Sequence, residues 1–344
     1  MIFEKIKRLV LFGGAPLMAE FVRQLKGKPY EVIVFSSSRH LIEIVEEEKT
    51  KLEDVLKKEK IKYFETEDIN TDKNINAFID ENTLGIGIGE VWSFSKKIIE
   101  RFQGRLIDFM GIPLPQYRGG AHYSWHILRR DKKWACNLQI INEEMVPAKF
   151  DSGAIIKTKE YFFPETARIP LDYFNWAVQQ EVSFLFEFLK EIEQGKDFPL
   201  APIDERFSIY FPRLYTKKQG YINWAWKIED IESFICAFDD PYPGAMTLID
   251  GQKVRLKKCF VEYNDGSFHP YQSGLIYKID DKAIYIASLS GTIIVSQVLD
   301  ENDNNILSTL KAGGRFFTPI SLLEQAMQFS ASYDAKGIKE EENQ

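Results

Sequence analysis

Paired cysteine spacing, long apolar runs and an excess of positive charge are all missing from this 344-residue sequence, and each absence narrows what it can do. Cys136, Cys236 and Cys259 stand far apart, so free thiols in a reducing compartment are expected rather than a disulfide framework or a cysteine metal site. No apolar run approaches the roughly 20 residues needed to cross a bilayer. Met1-Ile2-Phe3-Glu4-Lys5 lacks the apolar core of a signal peptide, and a cytoplasmic location without a membrane partner is expected. A net charge of −7 argues against broad capture of nucleic acid, which needs a basic surface to release counterions from phosphate. The spaced glycines of a dinucleotide site are missing too. Gly13-Gly14-Ala15-Pro16 does not match them, and the second apolar run ends in Ser36-Ser37-Ser38 instead of an acid for ribose.

What is present is an ordinary soluble composition, 44% hydrophobic and 28% charged, long enough for two domains with separate cores. From Arg8 to Asp108 short apolar runs alternate with helical patterns. Strands are expected at Leu9–Phe12, Glu31–Ser36, Ile61–Phe64, Leu84–Ile88 and Arg105–Asp108, with helices from Leu17, from His40 to Lys58, from Lys73 to Ile79 and from Ser95 to Phe102. The alternation predicts an α/β, Rossmann-like parallel sheet with flanking helices. Gly85 and Gly87 lie inside a strand-like run and imply close backbone packing or a bulge. A core-facing helix is expected from Pro170 to about Gly195, and the texture turns β-rich after Phe207. The expected division is a catalytic domain at 1–205, a smaller β-barrel-like domain at 206–320 and a helical or solvated tail at 321–344.

In open parallel sheets ligands sit beyond the carboxyl ends of the strands, where Gly13-Gly14, Gly89 to Trp92 and Asp108 fall. The densest cluster of chemistry-bearing residues follows. Asp108-Phe109-Met110 leads into Leu114-Pro115-Gln116-Tyr117-Arg118-Gly119-Gly120, and Asp151-Ser152-Gly153 comes later. Together these resemble the formyltransferase family, in which a strand ends in Asn-x-His, followed by Leu-Pro, an aromatic, Arg-Gly, and later Asp-(Thr/Ser)-Gly. Phe211-Pro212-Arg213, Gly220-Tyr221-Ile222-Asn223-Trp224 and Pro241-Tyr242-Pro243-Gly244-Ala245 are similar to the small OB-like barrel that follows the catalytic domain in many members. The resemblance extends to about Pro319.

The resemblance implies formyl transfer from a formyl-tetrahydrofolate donor to a primary amine, without a metal. It implies folate contacts from Gly89, Glu90, Val91, Trp92, Met110, Asn142 and Glu143, and substrate-loop roles for Tyr117, Arg118 and Gly119. Asp108 and Asp151 occupy catalytic positions, and His122 is a candidate replacement acid or base. The sequence departs from the family where the chemistry is concentrated. Asp108 stands in place of Asn and Met110 in place of His. A thioether donates no hydrogen bond, and an ionised carboxylate only accepts them, so neither replaces a donor to an oxyanion. A proton shared between Asp108 and Asp151 would recreate a donor. Other readings stay open: Asp108 capping the turn after its strand, Trp92 in the core, Arg118 bracing its loop, and His122 as an ordinary helix histidine.

Tyr117 and Trp125 look more like the nucleotide-sugar enzymes than the transfer-RNA enzymes, so a nucleotide-linked amino sugar is the expected acceptor and transfer RNA the alternative. In the second region Lys253-Val254-Arg255-Leu256-Lys257 reads as a half-exposed strand or as a transfer-RNA face. A binding or regulatory protein that has lost catalysis is the reading from another class. A homodimer is compatible with the sequence.

Overall fold

The computed structural model describes residues 1–45, 49–142, 153–263, 268–334 and 337–338. β1 (Arg8–Gly13), α1 (Ala15–Gln24), β2 (Glu31–Ser36), α2 (Ser38–Leu41), α3 (Leu52–Lys58), β3 (Lys62–Glu65), β4 (Thr83–Ile88), α4 (Lys96–Phe102) and β5 (Leu106–Met110) follow one another. Their strands pair in parallel in the order β3-β2-β1-β4-β5. The parallel pattern stops there. After the two-residue strand β6 (Arg118–Gly119) and helix α5 (His122–Arg129), β7 (Lys133–Ile140) and β8 (Ile155–Phe162) extend the same sheet antiparallel. Antiparallel neighbours need no crossover helix, and the chain has none between β7 and β8 among the described residues.

Three boundaries differ from the sequence expectation. The charged stretch from His40 to Lys58 is not one helix but the short α2 and α3, and Lys49 takes a left-handed φ of 60° between them. The helix expected at Lys73–Ile79 is a single 3-10 turn, Ile75–Phe78. β5 runs two residues past Asp108, so Met110 is a strand residue paired with Asn137.

Helix α6 (Pro170–Glu193) covers one face of the sheet. Proline opens it where a backbone donor would be unpaired anyway, and Asp172 accepts from the N–H groups of Arg168 and Ile169 at 2.8 and 3.1 Å. Its Val178, Val182, Leu185 and Leu189 share a core with Phe21 and Val22 of α1 and with Ile107 and Phe109 of β5. On the opposite face Ile98, Ile99 and Phe102 of α4 cover Val10, Phe12 and Leu106.

Beyond β9 (Tyr210–Phe211), α7 (Thr216–Gln219) and α8 (Ile228–Ala237), a second sheet contains β10 (Ala245–Ile249), β11 (Gln252–Glu262), β12 (Ile276–Ile279), β13 (Ile284–Ser288), β14 (Gly291–Leu299) and β15 (Phe316–Phe317). It is antiparallel throughout, in the order β12-β13-β14-β11-β10-β15. Its edges also meet: Ile276 N–H donates to the Gly314 carbonyl and Phe316 N–H to that of Gly274, each at 2.8 Å. The sheet therefore curls towards a small barrel. α9 (Ile320–Gln328) follows it. Ile112, Tyr117 and Trp134 share a core with Ile222, Trp224, Phe238 and Leu256, so the segment after β5 is packed against the second region.

Candidate functional site

Alternation along β5 sends Ile107 and Phe109 under α6 and leaves Asp108 on the α4 side. The register sets Gly87, Asp108 and Gln139 side by side on three neighbouring strands. Asp108 is 6% exposed, and its Oδ2 accepts from Gln139 Nε2 at 3.0 Å. Gln139 Oε1 is buried without a partner among the described residues. On the other flank Glu90 folds back over Gly87, where an added Cβ would lie 2.5 Å from Glu90 Oε2. Gly87 is thus the empty place that lets a second carboxyl group stand beside Asp108. Asp151, expected as the partner carboxylate, and Glu143 lie outside the described residues.

The β1 and β4 ends interlock. Gly13 has φ 111°, and a Cβ on it would fall 2.3 Å from the Ile88 carbonyl oxygen and 2.7 Å from Glu90 N. Only glycine fits this crossing. Gly89 also has a positive φ of 63°, and among the described residues nothing lies within 4 Å of its Cβ position. Val91 and Trp92 are half-buried, and Trp92 Nε1–H donates to the Glu67 carbonyl at 3.0 Å. Asn142 is half-buried just beyond β7. Met110 packs beside the cluster of Ile112, Tyr117 and Trp134.

The Tyr117-Arg118-Gly119 loop is stitched to residues 205–211. Arg118 donates from Nη1 and Nη2 to the two carboxylate oxygens of Glu205 at 2.5 and 3.0 Å and to Ser208 Oγ at 2.9 Å. Gly119 has φ 110°, and a Cβ there would come within 1.9 Å of the Phe211 carbonyl oxygen. Tyr117 is buried, donates to Asp131 Oδ2 at 2.5 Å and stacks on His126 at 3.9 Å between centroids. Burial, then Asp131, holds its hydroxyl protonated well above the usual range.

His122 opens α5, with Nε2 3.1 Å from the Gly119 carbonyl oxygen. That contact makes Nε2 the protonated nitrogen and leaves Nδ1 as the acceptor. Burial, with help from His126 and Arg213, pushes its pKa down to about 4, so the ring is neutral at neutral pH. His126 is also held down to about 4, chiefly by burial. No group of three or more metal-ligating side chains converges among the described residues.

One residue was missed by sequence reasoning. Glu181 of α6 is 5% exposed and points at the turn just after Met110: a Cβ on Gly111 would lie 2.4 Å from its Oε1 and 3.3 Å from Trp134 Cζ2. Burial pushes its carboxyl up to about 8, with no hydrogen bond or charge among the described residues to offset it. The signal was available. Glu181 interrupts the apolar stripe Ala177, Val178, Val182, Leu185 at helical spacing, where a charge is out of place.

Residues 215–309 match the family described as formyl transferase, C-terminal domain. The methionyl-tRNA formyltransferase of Ruminiclostridium cellulolyticum is 27% identical over 198 residues, which is 56% of this chain and 58% of that protein. The chain thus spans well under two thirds of that relative's length. Among solved structures, WlaRD, a sugar 3N-formyl transferase studied with dTDP and 5-N-formyl-THF, superposes with a TM-score of 0.62 at 15% identity, covering 87% of this chain and 100% of the other. An N-formyltransferase from Helicobacter canadensis, in complex with folinic acid and dTDP-3-aminofucose, gives 0.61 at 16% identity, with coverage of 87% and 100%. At these identities the likeness is one of fold.

Proposed function

We propose that this chain is a formyltransferase of that family and moves a formyl group from a reduced-folate donor to a primary amine. The favoured acceptor is an amino sugar carried by a nucleotide. In the reaction the amine nitrogen bonds to the formyl carbon, the bond from that carbon to the folate nitrogen breaks, and one proton passes from the amine to the folate nitrogen. Asp108 and Asp151 are the assigned proton-handling groups, with Glu90 beside Asp108. His122 offers Nδ1 as an alternative base. The Gly89 loop, with Val91 and Trp92, and the Asn142–Glu143 segment are assigned to the folate ring. Tyr117, Arg118 and Gly119 hold the acceptor loop in shape through Asp131, Glu205 and Phe211.

The observation that carries the choice of acceptor is the state of the basic strand β11. A transfer-RNA face needs uncommitted cations to replace phosphate counterions. Here Lys253 pairs with Glu301 at 3.0 Å and Arg255 with Asp303 at 2.8 Å. Lys257 is buried between Asp239 and Asp240. Arg255 and Lys257 are thus committed to carboxylates of the protein, Lys253 stands in an exposed surface pair and Lys258 is exposed, so only part of the strand's positive charge is available to a polyanion, which favours a small acceptor. Methionyl-tRNA formyltransferases among the sequence relatives support the second reading, transfer to charged initiator tRNA. Mass spectrometry after incubation with formyl-tetrahydrofolate and a panel of nucleotide amino sugars, beside methionyl-tRNA, decides between them. A formylated nucleotide sugar is expected; product on tRNA alone refutes the sugar assignment. Folate-induced stabilisation with no product on any acceptor points to a binding protein that has lost catalysis.

A further inference from the structure

Near the β5 end a buried polar atom lacks a protein partner: Trp134 Nε1 makes no hydrogen bond among the described residues. Trp134 and Tyr161 are cross-strand neighbours on β7 and β8. Glu181 reaches in from α6, and Tyr123 from α5 packs on Trp134 at 5.1 Å between centroids. Buried polar groups in proteins are nearly always paired, so the Trp134 indole and the Glu181 carboxyl meeting at the Gly111 turn call for a functional account. A carboxylate kept only for structure would have a cation or donors, and burial without them costs far more than an apolar side chain would.

We infer that Glu181 is a positioning residue for formyl transfer: its carboxyl fills the side-chain space of Gly111 and, against the Trp134 indole, fixes the strand end that carries Asp108 and Met110. This rests on the formyl-transfer reading. The titratable groups facing Glu181 are Tyr123 of α5 and Cys136 of β7, with Lys159 of β8 beyond Cys136; burial, then Glu181 itself, pushes the Tyr123 hydroxyl and the Cys136 thiol upward. Tyr123 and Cys136 are neutral near pH 7, as is Glu181 while it keeps its proton. Ionisation puts an unpaired charge against the backbone of Gly111, and the carboxylate turns out towards water. The side-chain space of Gly111 then empties and the β5 end loosens.

Glu181→Gln keeps the shape and removes the ionisation. The expected result is that wild-type kcat falls at least tenfold between pH 7 and pH 9.5 with little change in KM for folate, whereas the Gln variant holds its rate. Amide hydrogen exchange at residues 108–112, measured without substrates, is the second readout. Protection there should fall with pH in the wild type beyond the intrinsic dependence, and not in Glu181→Gln. Identical exchange profiles in the two proteins overturn the inference, as does the same alkaline loss of kcat in both. Absence of turnover in both proteins, with the exchange difference present, refutes the formyl-transfer reading and leaves the positioning of β5 standing.

Discussion

Replacing Glu181 by Gln should change how stability depends on pH, and by an amount the structure sets. The carboxyl rises from an ordinary 4.5 to about 8 in the folded protein. Each unit is worth about 1.36 kcal/mol, so the shift corresponds to about 5 kcal/mol of differential stability. The folded state binds this proton more tightly than the unfolded chain does. The contribution is therefore complete below about pH 4.5, declines as pH rises, and is gone once pH passes about 8. Against a total of roughly 5–15 kcal/mol for a typical protein this is a large term. Gln fills nearly the same volume and does not titrate. Urea unfolding of both proteins between pH 5 and pH 8 should show the stability of the variant relative to wild type growing by about 3–4 kcal/mol, because every other titrating group cancels in the difference. A difference that stays constant over that range would refute a proton held by burial at Glu181.

Four further outcomes follow from named contacts. Gly119→Ala places a Cβ 1.9 Å from the Phe211 carbonyl oxygen at a positive φ and should cost about 2–4 kcal/mol, read by thermal denaturation. Lys257→Ala strands the buried Asp239 and should cost about 3 kcal/mol, whereas Lys253→Ala, at an exposed pair, should stay within about 0.5 kcal/mol in the same unfolding assay. His122 and His126, both lowered to about 4 by burial, should remain neutral in NMR titrations down to pH 5; their contribution to stability is full above about 6.5 and is lost as pH falls towards 4. The double change Asp108→Asn with Met110→His exchanges a proton-handling carboxylate for two hydrogen-bond donors, one of them an imidazole that also moves protons, and should raise kcat by at least tenfold, about 1.4 kcal/mol in barrier, measured as initial rates of formyl transfer.

The parallel half of the sheet was legible because its five strands are short apolar runs between turn signals, and the β-rich character of the second region was legible in the same way, whereas its barrel was expected from the family resemblance. The antiparallel β7 and β8 were not, since Trp134 to Gln139 are buried without interruption and such a run does not announce its direction. Asp108 was found from its position at a strand end. Its neighbour Glu90 was placed only in a folate loop, because its return over Gly87 depends on tertiary folding that no local spacing encodes. Arg118 shows the same limit: bracing of its loop was anticipated, but the brace is Glu205, 87 residues away. Glu181 left a local mark, a charge in an apolar stripe, whose meaning appears only when Gly111 lies opposite.

The most direct test of formyl transfer at this site uses an isotopically labelled formyl group on tetrahydrofolate with nucleotide-linked amino sugars and the wild-type protein, followed by mass spectrometry. Formyl transfer predicts the label on the amine nitrogen of a sugar, with equimolar release of tetrahydrofolate and multiple turnovers. Donor that remains intact with every amine, or label that leaves only as free formate, would contradict it.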